Sequence, residues 1–136
     1  MATYNKFQPF IEAVMEKKHD LGADTLKVAL CNAANAPVAT NATLSNLTTV
    51  ALTNLASDTL TTSSSSQTSG TYSLVLADKT LTASGGAIPT FRYIVIYNDT
   101  ATNDDLICWY DYGSNVELAD GESLTIDFGA SLFTAS

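Results

Sequence analysis

The stretch from residue 97 to residue 113, YNDTATNDDLICWYDYG, places four aspartates beside a tryptophan and three tyrosines. Several oxygen ligands in one loop can bind Ca²⁺, and the candidates are Asp99, Asp104 and Asp105. The stretch lacks the alternating acids, central glycine and distant glutamate of an EF-hand. A hydrated hairpin loop followed by a strand accounts equally for these residues, because Asn, Asp and Thr favour turns. We favour the hairpin, and calcium is the weaker alternative.

Catalytic chemistry has little support in the sequence. The single histidine, His19, follows an amphipathic segment and is interpreted as a residue that contacts the last carbonyls of a helix. Cys31 and Cys108 form no metal-binding spacing and are expected to be buried thiols, and there is no G-x-S-x-G motif. Asp111 and Asp127 could share a face, but no substrate-binding region accompanies them. We predict a protein that is not an enzyme, with no catalytic residues and no cofactor.

The charge balance excludes further classes of partner. The chain has 14 acidic and 6 basic residues, with a formal net charge of -8. Nucleic-acid binding needs clustered Lys and Arg, so we predict no nucleic-acid partner. No stretch approaches the roughly 18–20 apolar residues of a membrane span, and the start does not resemble a signal peptide. The expected place of synthesis is therefore a reducing cytoplasm, with no membrane partner.

The hydrophobic pattern changes its period near residue 22. Residues 1–22 are predicted to form an N-terminal amphipathic helix that ends at Gly22. Its apolar stripe follows the helical spacing i, i+3, i+4 and i+7: Phe7, Phe10, Ile11 and Val14. Residues 24–136 alternate with a period of two and are predicted to form an antiparallel, jelly-roll-like β-sandwich. The chain is expected to be one domain, 1–136, that is mainly β.

The strand predictions differ in strength along the chain. Residues 91–97, FRYIVIY, are apolar on both faces, which predicts a central strand with Phe91 and Tyr93 on the same face. LICWYDY is the predicted partner strand after a loop of about eight residues. Residues 63–70, SSSSQTSG, are interpreted as a flexible turn. Residues 47–55 are interpreted as a strand or a short helix.

The apolar helix stripe and the two-sided strand require more cover than one small sheet supplies. This excess predicts a homo-oligomer, with a trimer favoured, that buries apolar residues between subunits. A tryptophan in such a run is expected in a core or a subunit contact. The candidate interface residues are Phe7, Phe10, Ile11, Val14, Tyr93, Tyr97, Trp109 and Tyr110.

Four segments carry a resemblance to a known group of proteins. They are YNKFQPFIEAV, LGADTLKVAL, SSSQTSGTYSLVLAD and FRYIVIYNDTATNDDLICWYDYGSNVELADGESLTIDF, which together span most of the chain. With them the chain resembles small structural proteins encoded among the virion genes of tailed bacteriophages and prophages. The resemblance implies a virion protein made in the cytoplasm of a bacterial host, foremost a capsid decoration (cement) protein that binds the major capsid protein and stabilises the outer lattice. The alternative is a tail- or fibre-associated protein that binds tail proteins and presents a host-glycan surface through Trp109 and the tyrosines.

Overall fold

The computed structural model describes residues 2–136, in which one α-helix and nine β-strands are found. The predicted class is confirmed, since the chain is mainly β, its sheets are antiparallel and its one α-helix lies near the N-terminus. In chain order the elements are β1 (Thr3–Lys6), α1 (Pro9–Met15), β2 (Leu26–Cys31), β3 (Thr62–Thr68), β4 (Thr71–Leu76), β5 (Lys79–Thr82), β6 (Ile88–Asn98), β7 (Leu106–Leu118), β8 (Ser123–Ile126) and β9 (Phe133–Ala135).

The strands form three antiparallel sheets around one main core. The largest sheet has the order β1-β7-β6-β2, the second has the order β3-β4-β9, and β5 pairs with β8. Buried side chains from all three sheets meet in a single cluster, which gives a sandwich-like arrangement. No helix within residues 2–136 is long and apolar enough to cross a membrane.

The predicted central strand is confirmed as part of β6, which lies between β7 and β2. Ile94 and Ile96 face the main core, while Tyr93, Val95 and Tyr97 face a second cluster on the opposite side of the sheet. Both faces are therefore covered within one chain. The second face is covered by Phe7 and by part of the long loop after β2, through Ala39, Leu44 and Leu47.

One detail of the predicted strand is wrong. Phe91 lies in the main core with Ile94 and Ile96 and not on the face of Tyr93. The register of β6 against β7 shifts between Phe91 and Tyr93, which indicates a β-bulge there. Between the pairs that Phe91 and Tyr93 form with β7, β6 advances two residues and β7 advances five, so the regular pleat is interrupted and side chains on its two sides are out of phase.

The helix is much shorter than the predicted 1–22. Residues Thr3–Lys6 form β1, which pairs with β7, and α1 covers only Pro9–Met15. Pro9 occupies the start of the helix, where its missing N–H costs no hydrogen bond. Phe7 precedes the helix and packs in the second cluster, whereas Phe10 packs in the main core. The apolar residues that were predicted to form one face of a helix therefore pack on both sides of the main sheet.

The helix ends at a Schellman motif formed by non-glycine residues. The Lys17 N–H donates to the Val14 carbonyl at 3.2 Å, and the Lys18 N–H donates to the Ala13 carbonyl at 2.9 Å. This motif requires a left-handed residue directly after the helix, and Lys17 adopts it with φ of 66°. The chain leaves the helix here, five residues before the predicted stop at Gly22.

Two further segments differ from their predictions. Residues 63–70 are not a flexible turn, because Thr62–Thr68 pairs with β4. Only Ser69 and Gly70 make the turn, and their φ values of 51° and 86° match the two positive values of a type I′ hairpin. Residues 47–55 form no strand or helix and contact the sheets through an isolated bridge between Leu55 and Ala83.

We expect Lys17→Gly to stabilise the protein. A left-handed residue other than glycine costs about 1–2 kcal/mol, while the extra backbone freedom of glycine costs about 0.5–1 kcal/mol, so the free energy of unfolding should rise by about 0.5–1 kcal/mol. Urea unfolding measures this difference. Lys18→Gly is the matched control, because Lys18 has no positive φ. Equal destabilisation by both substitutions would contradict the motif.

Candidate functional site

An open groove of about 1170 Å³ lies beside the helix, and we call it the α1 groove. Its walls come from α1, from the turn at 17–24, from the loop at 100–105, and from β3, β4 and the C-terminal residues 133–136. The loop at 100–105 is held against the turn because the Thr25 N–H donates to Thr100 Oγ1 at 2.9 Å. Segments far apart in the chain thus form one site.

One wall of the α1 groove is apolar. Ile11 and Val14 pack partly against the main core and remain half-buried. Met15, at the end of the same helix, is 80% exposed. Tyr72 and Phe133 complete this wall, with their ring centroids 6.1 Å apart. An exposed methionine beside half-buried aliphatic residues forms an adaptable apolar surface.

The base of the α1 groove is a buried hydrogen-bond network centred on Asn98, the last residue of β6. The Asn98 side chain is fully buried. Its Oδ1 accepts from the backbone N–H groups of Thr100 at 2.9 Å and Ala101 at 3.1 Å. Its Nδ2 donates to Asp24 Oδ2 at 2.6 Å and contacts His19 Nδ1 at 3.0 Å. Asn98 therefore joins the sheet to both loops of the groove.

This network assigns the tautomer of His19. Because Asn98 Oδ1 accepts two backbone N–H groups, Nδ2 must be the atom that faces the imidazole. Nδ2 donates, so His19 Nδ1 accepts and the proton of the neutral ring lies on Nε2. Burial lowers the pKa of His19 below its usual 6.5, against the opposing effects of Asp105 and Asp24. Nε2 is buried and has no hydrogen-bond partner among residues 2–136.

Asp105 lies in the same wall and is 6% exposed. Its backbone is fixed, because its carbonyl accepts from the Asn98 N–H at 2.9 Å. No hydrogen bond or ion pair within residues 2–136 reaches its carboxylate. The carboxylate oxygens are not among the fully buried atoms that lack a partner, so they open to the α1 groove.

The predicted calcium ligands do not form a cation site. Asp99 pairs with Lys27 at 3.4 Å, and Asp104 adopts a left-handed conformation with φ of 51°. Asp105 is buried at the groove. In the described part of the chain, no three His, Cys, Asp or Glu side chains form a group that could hold a metal ion. The loop is also not simply a hydrated tip, since Asn98 and Asp105 are buried.

Most of the predicted interface residues belong to the core of the single chain. Phe7 and Phe10 are fully buried, and the exposed fractions of the other four aromatic residues are at most 9%: Tyr93, Tyr97, Trp109 and Tyr110. Trp109 packs against Phe7 with ring centroids 4.5 Å apart and ring planes tilted by 43°, and with 9% of its surface exposed its ring face is not open to a sugar. The argument that these residues need a subunit partner therefore loses its basis. Only Ile11 and Val14 keep partly exposed surface, and both line the α1 groove.

The other candidate chemical groups are occupied or buried. Arg92 donates to both carboxylate oxygens of Asp111, at 2.8 and 3.3 Å, and holds the pKa of Asp111 below its usual range, which does not suit a general acid. The predicted buried thiols are confirmed, since Cys31 and Cys108 are both free and buried. Burial raises the pKa of Cys31 to about 11, so it carries little thiolate at neutral pH.

Comparison with protein-family models, curated proteins and solved structures gives no match for this chain. The sequence reasoning missed the groove because its parts come from distant segments. His19 lies beyond the helix and contacts Asn98, not the helix-end carbonyls that were expected. One signal was available: Asn98 directly follows the most apolar strand, where a polar side chain must find partners inside the protein.

We expect His19 to make the protein less stable as the pH falls. Its pKa is lowered in the folded state, so the unfolded chain binds the proton first as the pH falls through about 6.5. The contribution is complete above that pH and is lost progressively below it. Urea unfolding between pH 8 and pH 5 tests this against His19→Gln, which can still accept from Asn98 but does not titrate.

The aspartates are present in both wild type and His19→Gln, so their contribution to the pH dependence cancels when the two free energies of unfolding are subtracted. The difference between the two free energies should shrink as the pH falls below about 6.5. A constant difference would contradict the buried neutral imidazole. Long-range ¹H–¹⁵N correlation of the single histidine is an independent readout and should show the proton on Nε2.

We expect Asn98→Ala to destabilise the protein by about 2–4 kcal/mol, because it removes four hydrogen bonds and leaves buried groups unpaired. Asn103→Ala, in the same loop but exposed, is the matched control and should change stability by less than about 0.5 kcal/mol. Denaturant unfolding of both variants measures the two values. Similar values for both would show that Asn98 does not organise the groove.

Proposed function

We propose that this protein is a non-enzymatic structural protein of a tailed-phage virion, and specifically a capsid decoration (cement) protein that binds the outer capsid lattice. The virion assignment rests on the resemblance of the four sequence segments. The fold is compatible with it, because a mainly β domain with a closed core suits a passive structural component. Its partner in this proposal is the major capsid protein.

The observation that carries the proposal is the contrast between a closed core and one open apolar groove. Large apolar side chains are buried almost everywhere in residues 2–136, and the exposed exceptions are Tyr4, Met15 and Val38. Met15, the most exposed of the three, lies at the α1 groove beside Ile11 and Val14. A concentrated exposed apolar surface on an otherwise closed domain is typical of a protein-binding site.

A decoration protein must also resist deformation while it is attached. The long hairpin β6–β7 supplies a stiff element, because it is central to the main sheet and tied across its strands by Arg92 and Asp111. β6 is buried through most of its length, and β7 is buried from Leu106 to Tyr110. A scaffold of this kind holds the walls of the α1 groove at fixed positions.

Self-association into a homotrimer is a further part of the proposal, and the free strand edges are the surfaces available for it. The Phe7 N–H donates to the Ile107 carbonyl at 3.2 Å, so the alternation of an antiparallel ladder turns the peptide groups of Tyr4 and Lys6 away from β7. An edge with free peptide groups can pair with another chain. β9, the last strand of the second sheet, presents another edge.

The test is to add the purified protein to complete tailed particles of the same phage that lack it, followed by cryo-electron microscopy. We expect density on the outer capsid surface, with three copies around each attachment point. Density confined to the tail would replace the decoration role with the tail-associated alternative. Absence of the chain from both capsid and tail would overturn the virion proposal.

A further inference from the structure

Asp105 is a nearly buried acid whose carboxylate opens to the α1 groove and has no hydrogen bond or ion pair within residues 2–136. It is 94% buried, since 6% of its surface is exposed, and it lines the α1 groove. The two ion pairs within residues 2–136 are Lys27 with Asp99 and Arg92 with Asp111, so neither includes it. A carboxylate in such a position is stabilised most by a cationic donor, whose hydrogen bond is about twice as strong as a neutral one.

The neighbours of Asp105 within residues 2–136 do not supply that donor in the structure. Asp24 is an acid and is itself satisfied by the Asp20 N–H at 2.8 Å and by Asn98 at 2.6 Å. Nδ1 of His19 accepts from Asn98, and its Nε2 makes no hydrogen bond to any residue in the described range. Lys17 and Lys18 line the groove but form no ion pair with Asp105.

The groove has the dimensions and polarity of a site for a polypeptide segment. Its volume of about 1170 Å³ exceeds the range of about 300–1,000 Å³ usual for small-molecule sites. An apolar wall ending in Met15 faces a base that contains Asp105 and Asp24. A partner segment that carries both an apolar and a cationic side chain matches these two surfaces.

We propose that the α1 groove binds an extended segment of a partner protein that inserts a Lys or Arg side chain toward Asp105 and lays an apolar side chain on Ile11, Val14 and Met15. This inference rests on the proposed function, since it describes the chemistry by which the chain attaches to its partner. The net charge of -8 favours a basic segment over an acidic one. His19 and Asn98 hold the base of the site in place.

The first test uses two short synthetic peptides, both with blocked ends and with leucines flanking a central lysine, which is acetylated in one of them. Titration followed by ¹H–¹⁵N correlation spectra should shift the amide signals of residues 100–103. The lysine peptide should bind about tenfold more tightly than the acetyl-lysine peptide, because the second cannot form a charged hydrogen bond.

Three variants localise the effect. Asp105→Asn keeps the shape of the side chain and should remove the preference for lysine over acetyl-lysine. Asp104→Asn is the matched control, because it removes the same charge from the adjacent residue, which does not line the groove and whose left-handed conformation suits asparagine. It should keep the preference. Met15→Ala changes an exposed side chain and should weaken both peptides equally.

Two outcomes would overturn the inference. One is equal binding of the lysine and acetyl-lysine peptides to the wild type. The other is the absence of any shift at residues 100–103 at millimolar peptide, which would show that the groove does not bind such a segment. Capsid shells then separate this inference from the proposed function. If Asp105→Asn and Met15→Ala bind shells as the wild type does, the attachment role stands and the groove is not its site. If the wild type binds no shells, the decoration role fails and the peptide titration still decides the groove.

Discussion

Burial of β6 on both faces is the constraint on which the rest of the structure depends. A strand covered on both sides needs two separate apolar layers. The first is the main core, to which the other sheets and Phe10 contribute. The second is built from Phe7 and the long loop after β2, which is tied down where the Gln8 N–H donates to the Ala39 carbonyl. The need for two apolar layers explains why β1 is followed by a short helix, and why the long loop after β2 packs on the second face of β6.

The same strand also organises the candidate site. β6 ends at Asn98, whose side chain is too deeply buried to reach water and therefore bonds to both neighbouring loops. The position of His19 and the walls of the α1 groove follow from these bonds. Asp105 begins the return of the hairpin and is held by the Asn98 N–H. The buried centre of the protein and the α1 groove are thus connected through the side chain of Asn98.

The proposed attachment role uses this arrangement in a specific way. The large aromatic residues of the core are buried within the single chain, and the α1 groove with its exposed Met15 is the apolar surface that we propose for the capsid partner. Asp105 adds a directional contact to an otherwise apolar surface, because its carboxylate at the groove can accept a charged hydrogen bond from a cationic side chain. Apolar contact supplies binding energy, and the carboxylate selects which segment binds.

The sequence by itself determined the fold class, the central apolar strand and the return strand that carries Trp109, because alternation and strand hydrophobicity are local properties. It also determined that Cys31 and Cys108 are buried thiols. Tertiary structure decided the length of the helix, since pairing of Thr3–Lys6 with β7 overrode its apolar spacing. It likewise decided the bulge at Phe91 and the α1 groove. His19 and Asn98 are separated by 79 residues, and their contact depends on how distant segments pack, which no local pattern encodes.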